Sequence, residues 1–216
     1  MKNLKSEEIL SVVLTAAKDY SNKLMDKHFL IVYEDRSDNN AYKYKEIGFR
    51  DYNFLHLTGL KTTMSPASFF SAATSGRLSV SQFHTDKQGR SIQKLNVLPY
   101  LSDLLYNPCL IGPFINSGIS IKADYWAGDT RSRLSLGFKS QKSVDIPVSL
   151  YNEDIRKLTD PSNRVVAVFS KKYNDPFYES TTTTYLHREF DLEILMNNYP
   201  RLPIKKLENK TPEKTE

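Results

Sequence analysis

Cysteine is nearly absent: Cys109 stands alone in 216 residues, so no internal disulfide can form, and no Cys/His spacing suits a zinc site. No apolar run approaches the roughly 18 residues of a membrane span. The opening Met1-Lys2-Asn3-Leu4-Lys5-Ser6 carries no apolar signal region, and a soluble, cytoplasmic protein is the expectation. Charge of neither sign dominates. Thirty Lys and Arg against 25 Asp and Glu leave a net +5 with pI ≈ 9.1, a balance that permits a polyanionic partner without demanding one. No glycine-rich phosphate loop and no G-x-S-x-G elbow occurs. Asp124, Asp129 and Glu153 are scattered, so no carboxylate cluster points to a magnesium site; no metal and no cofactor is expected. No internal repeat is present.

What the chain does have is an ordinary apolar content of 39% and plentiful rings, 13 Tyr and 11 Phe. That is enough to build a core without covalent staples. Most of these rings belong to that core, with a few left over for base stacking.

The pattern changes character near Asn107. Before it, Ile9, Val12, Val13, Ala16, Ala17, Tyr20 and Leu24 follow helical 3–4 spacing over Ser6–Met25. Ser6 stands at the start to cap, and Glu7 and Glu8 suit the positive helix end. Phe29–Tyr33 and Tyr42–Ile47 read as a hairpin around a polar loop. Ser65-Pro66 is a strong helix start, and Gly76 stops that helix. A short helix is predicted through Val80 and Phe83. A longer one follows over Ser91–Tyr106, kinked or divided at Pro99.

After Asn107, strands are predicted over Cys109–Ile115, Ile119–Trp126, Arg133–Lys139, Asp145–Leu150 and Val165–Ser170, with a turn at Ala127–Thr130. A short helix capped by Asn152 falls between the last two. Short links favour antiparallel pairing, so the layout is α+β: N-terminal helices packed on a mainly antiparallel sheet of four to five strands. One domain over 1–202 is expected. Its helical part covers about 1–106, its sheet part about 107–180, and a C-terminal extension 181–202. In that extension Thr181–Tyr185 reads as an edge strand and Glu189–Met196 as a short helix. Residues 203–216 form a polar tail expected to be disordered.

The densest site-like pattern is Phe54-Leu55-His56-Leu57-Thr58-Gly59-Leu60. Read as an extended segment, it puts His56 and Thr58 side by side, with Leu55 and Leu57 facing a core. Gly59 then permits a turn or a close approach. An imidazole titrates near neutrality, which suits a general acid or base. The plainer reading is a half-buried histidine satisfied by a backbone carbonyl.

This stretch, followed in order by Leu136-Gly137-Phe138, Ile146–Leu150 running into Glu153-Asp154-Ile155, and Val166–Lys171, resembles a domain of phages and integrative elements. That domain is the fourth group of barnase/EndoU/colicin/RelE-like nucleases. The resemblance covers roughly residues 5–180. It implies helices packed on a four-stranded antiparallel sheet, and a superfamily that cleaves RNA without metal through side chains on the exposed sheet face. Within the matching motifs only His56 and Thr58 carry reactive polar groups.

Metal-free RNA cleavage needs a base for the 2′-OH, an acid for the leaving 5′-oxygen, and donors for the phosphorane charge. The catalytic candidates are His56, Thr58, Arg133 and Lys171. Candidates for holding nucleic acid are Arg131, Lys139, Lys142, Lys172, Tyr173 and His84. Arg131 and Arg133 share one face if their strand is regular, although a solvated sheet edge with protective charges is the plainer reading.

Two functions follow as expectations. The first is a metal-independent endoribonuclease, a toxin or effector of a mobile element acting on RNA such as tRNA or mRNA, with an immunity protein or host protein as partner. The second is a non-catalytic module on the same scaffold that binds nucleic acid or a host protein. No membrane association is expected.

Overall fold

A computed structural model describes residues 4–115 and 123–205. Helix α1 (Ser6–Lys23) buries Ile9, Val13, Ala16, Ala17 and Tyr20, the face its 3–4 spacing predicts. The hairpin follows as β1 (Lys27–Asp35) and β2 (Ala41–Gly48), paired antiparallel. Helices α2 (Asp51–Thr58), α3 (Pro66–Thr74) and α4 (Arg90–Val97) come next, with a 3-10 turn at Val80–Gln82. Ser65 caps α3 by accepting a hydrogen bond from Ser68 N, with Pro66 at the first helical position. The long helix predicted over Ser91–Tyr106 divides at Pro99: α4 ends at Val97 and a 3-10 segment runs Leu98–Tyr106. Proline supplies no N–H and its ring crowds the preceding turn, which ends the α ladder there.

The strands β3 (Leu110–Pro113), β4 (Tyr125–Gly128), β5 (Leu134–Lys139) and β6 (Ile146–Asn152) form the expected antiparallel meander. The short helix expected after Asn152 is one 3-10 turn, Ile155–Lys157, capped instead by Asp154. Strand β7 (Asn163–Lys172) pairs with β1 and with β3, and β9 (Thr183–Leu186) adds to β7. The C-terminal extension also supplies α5 (Leu192–Asn198), and the segments on either side of it form a small parallel pair, β8 (Tyr178–Glu179) with β10 (Ile204–Lys205). Residues 119–122 of the expected Ile119–Trp126 strand, and all but the first three residues of the 203–216 tail, lie outside the described residues.

The strand count corrects the expectation of four to five. The main sheet has eight strands, ordered β2-β1-β7-β3-β4-β5-β6 with β9 beside β7, and all its pairings are antiparallel. The N-terminal hairpin enters this sheet because β1 docks on β7, a partner some 140 residues away in sequence (Leu30 opposite Phe169). The two ends then meet. Gly48 N donates to Asp145 O and Asp145 N to Glu46 O, each at 2.9 Å, so the sheet curls nearly into a barrel.

One face packs on α1–α4 in the principal core. The reverse face of β1 and β7 (Leu30, Val32, Ala167, Phe169) is covered by Tyr178 of β8, Leu195 of α5 and Ile204 of β10. Burial on both faces explains the unbroken apolar runs in β1 and β7, where a one-sided strand would alternate.

Candidate active site

The His56 stretch is helical, which corrects the extended reading. In α2 the buried residues are Asn53, Phe54, Leu57 and Thr58, a 3–4 pattern. Eight residues show too few repeats to separate that period from strand alternation. The overlooked signal is Gly59, which takes φ 69 as a left-handed C-terminal cap. At the other end Arg50 N donates to Asn53 Oδ1, at 2.9 Å. Tyr20 Oη of α1 donates to Arg50 O, at 2.8 Å, while its ring packs edge-on against Phe49, Phe54 and Phe70. Helix α2 is therefore anchored on its apolar side and presents the opposite side to solvent.

On a helix, residues two apart point about 200° from each other. Thr58 is fully buried: its Oγ1 donates to Leu55 O at 2.8 Å and accepts from Leu60 N at 3.1 Å, closing the helix end. His56 is exposed. It lines a cleft of about 790 Å³ between α2, α4 and the edge strand β6, shared with Lys61, Arg90, Gln93, Lys94, Ser149 and Tyr151.

Lys94 is the half-buried cation of this cleft. Its Nζ donates to His56 O at 2.8 Å, covering a carbonyl in the last turn of α2. Its stem runs so close to Gly59 that a Cβ there would stand 2.8 Å from Lys94 Cδ. Burial, then the like charges of Lys61 and Arg90, bring the Lys94 amine down to about 8, opposed in part by Asp86. Around it, Ser91 Oγ donates to Gly59 O (2.7 Å) and accepts from Asp86 N (2.9 Å). Asp86 also holds Arg90 Nε, at 2.9 Å. Burial raises the Asp86 carboxyl, but the bonds from Arg90 and Ser91 outweigh it and keep the group below its usual range. The start of α4 is thus locked to the end of α2, with Arg90 and Lys94 one turn apart on the cleft side.

His84 forms an antiparallel bridge with Lys61, with N–H to O distances of 2.9 Å both ways. This places it beside one of the cleft's cations.

The remaining sequence candidates lie elsewhere. Arg131 and Arg133 sit in the turn between β4 and β5 and not on a regular strand, so the expected shared face does not form; Arg133 takes φ 56 and pairs with Glu153, at 2.7 Å. Lys139 pairs with Asp124, at 2.6 Å, and Lys142 is exposed in the loop that follows.

Lys171 lies opposite His28 across the β1–β7 ladder. It is 4.0 Å from Glu46, which also accepts from Tyr178 Oη at 2.8 Å. The buried Nδ1 of His28 lies 3.5 Å from Glu46 Oε1 and has no closer partner among the described residues. Burial pushes the Glu46 carboxyl up, but His28, Tyr178 and the Lys171 charge outweigh it and hold the group below its usual range. Tyr173 meets His28 edge-on and carries the Arg50 guanidinium 3.5 Å above its ring. Lys172 is exposed at the strand end.

The cleft residues missed from sequence are Lys61, Arg90, Lys94, Ser149 and Tyr151. Arg90 and Lys94 had a legible signal, since i and i+4 share a helix face. Nothing local linked that face to His56, 38 residues away.

Among the described residues, no three His, Cys, Asp or Glu side chains gather as metal ligands, and no helix is long and apolar enough to cross a membrane. No curated protein matches the chain, and no solved structure does. A family model does match, over residues 13–186 and so over most of the chain, that of the phage-Barnase-EndoU-ColicinE5/D-RelE like nuclease 4 domain. Helices α2–α4, the curled antiparallel sheet and the His56 cleft all fall within the matched span, and the chain belongs to this family of nuclease domains.

Proposed function

We propose that the chain is a metal-independent ribonuclease whose chemistry takes place in the His56 cleft. The observation that carries this reading is the gathering of an exposed imidazole and three cations, Lys61, Arg90 and Lys94, around one opening. An amine brought to about 8 stands among them. A scissile phosphate would draw its charge stabilisation from Arg90 and Lys61. The His56 imidazole and the Lys94 amine supply the two acid–base groups that the two proton transfers require.

One group removes the 2′-OH proton as O2′ bonds to phosphorus. The P–O5′ bond breaks and the other group protonates O5′. The products are a 2′,3′-cyclic phosphate and a 5′-hydroxyl. In this reading Thr58 closes α2, Arg133 braces the β4–β5 turn through Glu153, and Lys171 belongs to the Glu46 cluster. None of the three touches substrate. The substrate is RNA, tRNA or mRNA, and the setting is a toxin or effector of a mobile element that meets an immunity or host protein.

The test is cleavage of total RNA and of a short oligoribonucleotide in EDTA, with end-group analysis. Cyclic phosphate ends, lost in His56→Ala at unchanged melting temperature, are expected. RNA affinity without cleavage in the wild type would instead establish a binding module.

A further inference from the structure

A second and larger cleft, about 1150 Å³, opens elsewhere on the molecule. The 3-10 segment Leu98–Tyr106, the β4–β5 turn, the 159–162 loop and β9 form its walls. Its charged groups fall into two sets. Most are already committed to protein partners. Arg164 is held by both carboxylate oxygens of Glu34, at 2.9 and 3.0 Å. Arg156 chelates Asp154, and Asp103 pairs with Lys23. Asp129 is used inside the turn, accepting from Arg131 N (2.9 Å) and Ser132 N (3.1 Å).

Two guanidinium groups and the exposed Asp160 carboxylate remain. Arg36 and Arg131 both line the cleft, both are exposed, and neither has an ion-pair partner among the described residues. Two rings line it with them: Tyr100, 53% exposed, and the half-buried Tyr185. Free guanidinium forks match phosphate oxygens, and tyrosine faces accept a base of any identity.

We propose that this cleft binds a nucleoside phosphate, free or as one unit of a single strand, with Arg36 and Arg131 on the phosphate and Tyr100 and Tyr185 against the base. The choice of ligand rests on the nucleic-acid reading above; the site itself does not depend on cleavage.

The experiment pairs two probes with two variants. An oligodeoxythymidylate of about ten nucleotides lacks the 2′-OH and so reports binding alone, by fluorescence anisotropy. Adenosine 5′-monophosphate, followed by amide chemical shifts, tests the free ligand. The double variant Arg36→Ala/Arg131→Ala should melt as the wild type does. It should bind the oligonucleotide about tenfold more weakly, with the salt slope reduced by about 0.7 per arginine removed. Arg77→Ala, an exposed arginine that lines neither cleft, should bind it unchanged. Nucleotide shifts at Tyr100, Arg131 and Tyr185 would assign the site to a free nucleotide as well; loss of oligonucleotide affinity without them would assign it to a strand. Wild-type affinity for both probes in a double variant that melts normally overturns the proposal. A chain that cleaves no RNA yet loses affinity in the double variant keeps this site and loses only the nuclease reading.

Discussion

Lys94 provides the sharpest test of the cleft. A lysine amine at about 8, against an ordinary 10.5, carries a free base population near pH 7 that is ~300-fold above an unperturbed lysine. Competitive acetylation at graded pH, read by mass spectrometry of the Lys94 peptide, should show a midpoint close to 8. The stability consequence has a definite sign. The folded-state value lies below the unfolded one, so the native state binds fewer protons between about pH 8 and 10.5, and stability rises with pH across that window. Below it the cost of holding the half-buried charge is complete. The full shift corresponds to ~3 kcal/mol, and solvent screening of a partly exposed amine reduces it to roughly 1–2 kcal/mol. In Lys94→Met this rise should vanish from denaturant unfolding measured at several pH values, and RNA cleavage should vanish with it. A labelling midpoint at 10 or above, with the stability curve of Lys94→Met parallel to wild type, would refute the electrostatic account of the cleft.

Other outcomes follow from the same contacts. Gly59→Ala forces a Cβ into both a left-handed backbone and the Lys94 stem; a loss of ~1–2 kcal/mol in urea unfolding is expected, with cleavage impaired beyond the loss of fold. An unperturbed variant would mean that Lys94 does not lie over Gly59. Thr58→Val keeps the shape but strands Leu60 N–H, so roughly 1–2 kcal/mol of stability should go while the activity of the folded fraction stays intact; selective loss of turnover would return Thr58 to the mechanism. Glu46 sits below its usual range in the fold, so its stabilising contribution is present above the unfolded carboxylate value and disappears as pH falls through the folded one. Glu46→Gln should flatten that acid limb in a pH series of melting temperatures, and an unchanged limb would discount the His28–Glu46–Lys171 cluster.

Local chemistry made much of the fold legible. The 3–4 stripe of α1, the Ser65-Pro66 start of α3, the break at Pro99 and the meander from β3 to β6 each depend on nearby stretches of chain, with even the meander's partners no more than 18 residues apart, and each can be read from sequence. The family could be read too, because motif order survives without coordinates. The conformation of Phe54–Leu60 could not. Two helical turns repeat the pattern too few times to reveal a period, and the decisive contacts, Tyr20 on Arg50 and Ser91 on Gly59, come from distant segments. The same limit explains the strand count, since β1 joins the sheet only through β7.

The site divides along that line. His56 was identifiable from its type and setting, but its companions were not. Tertiary packing removed Thr58 to the interior, sent Arg131, Arg133 and Lys171 to other places, and brought Arg90 and Lys94 across 34 to 38 residues to its side. Sequence determines which residues can take a proton or hold a phosphate. Only the packing of α4 on the end of α2, a contact between segments that no local pattern couples, decides which of them share a cleft.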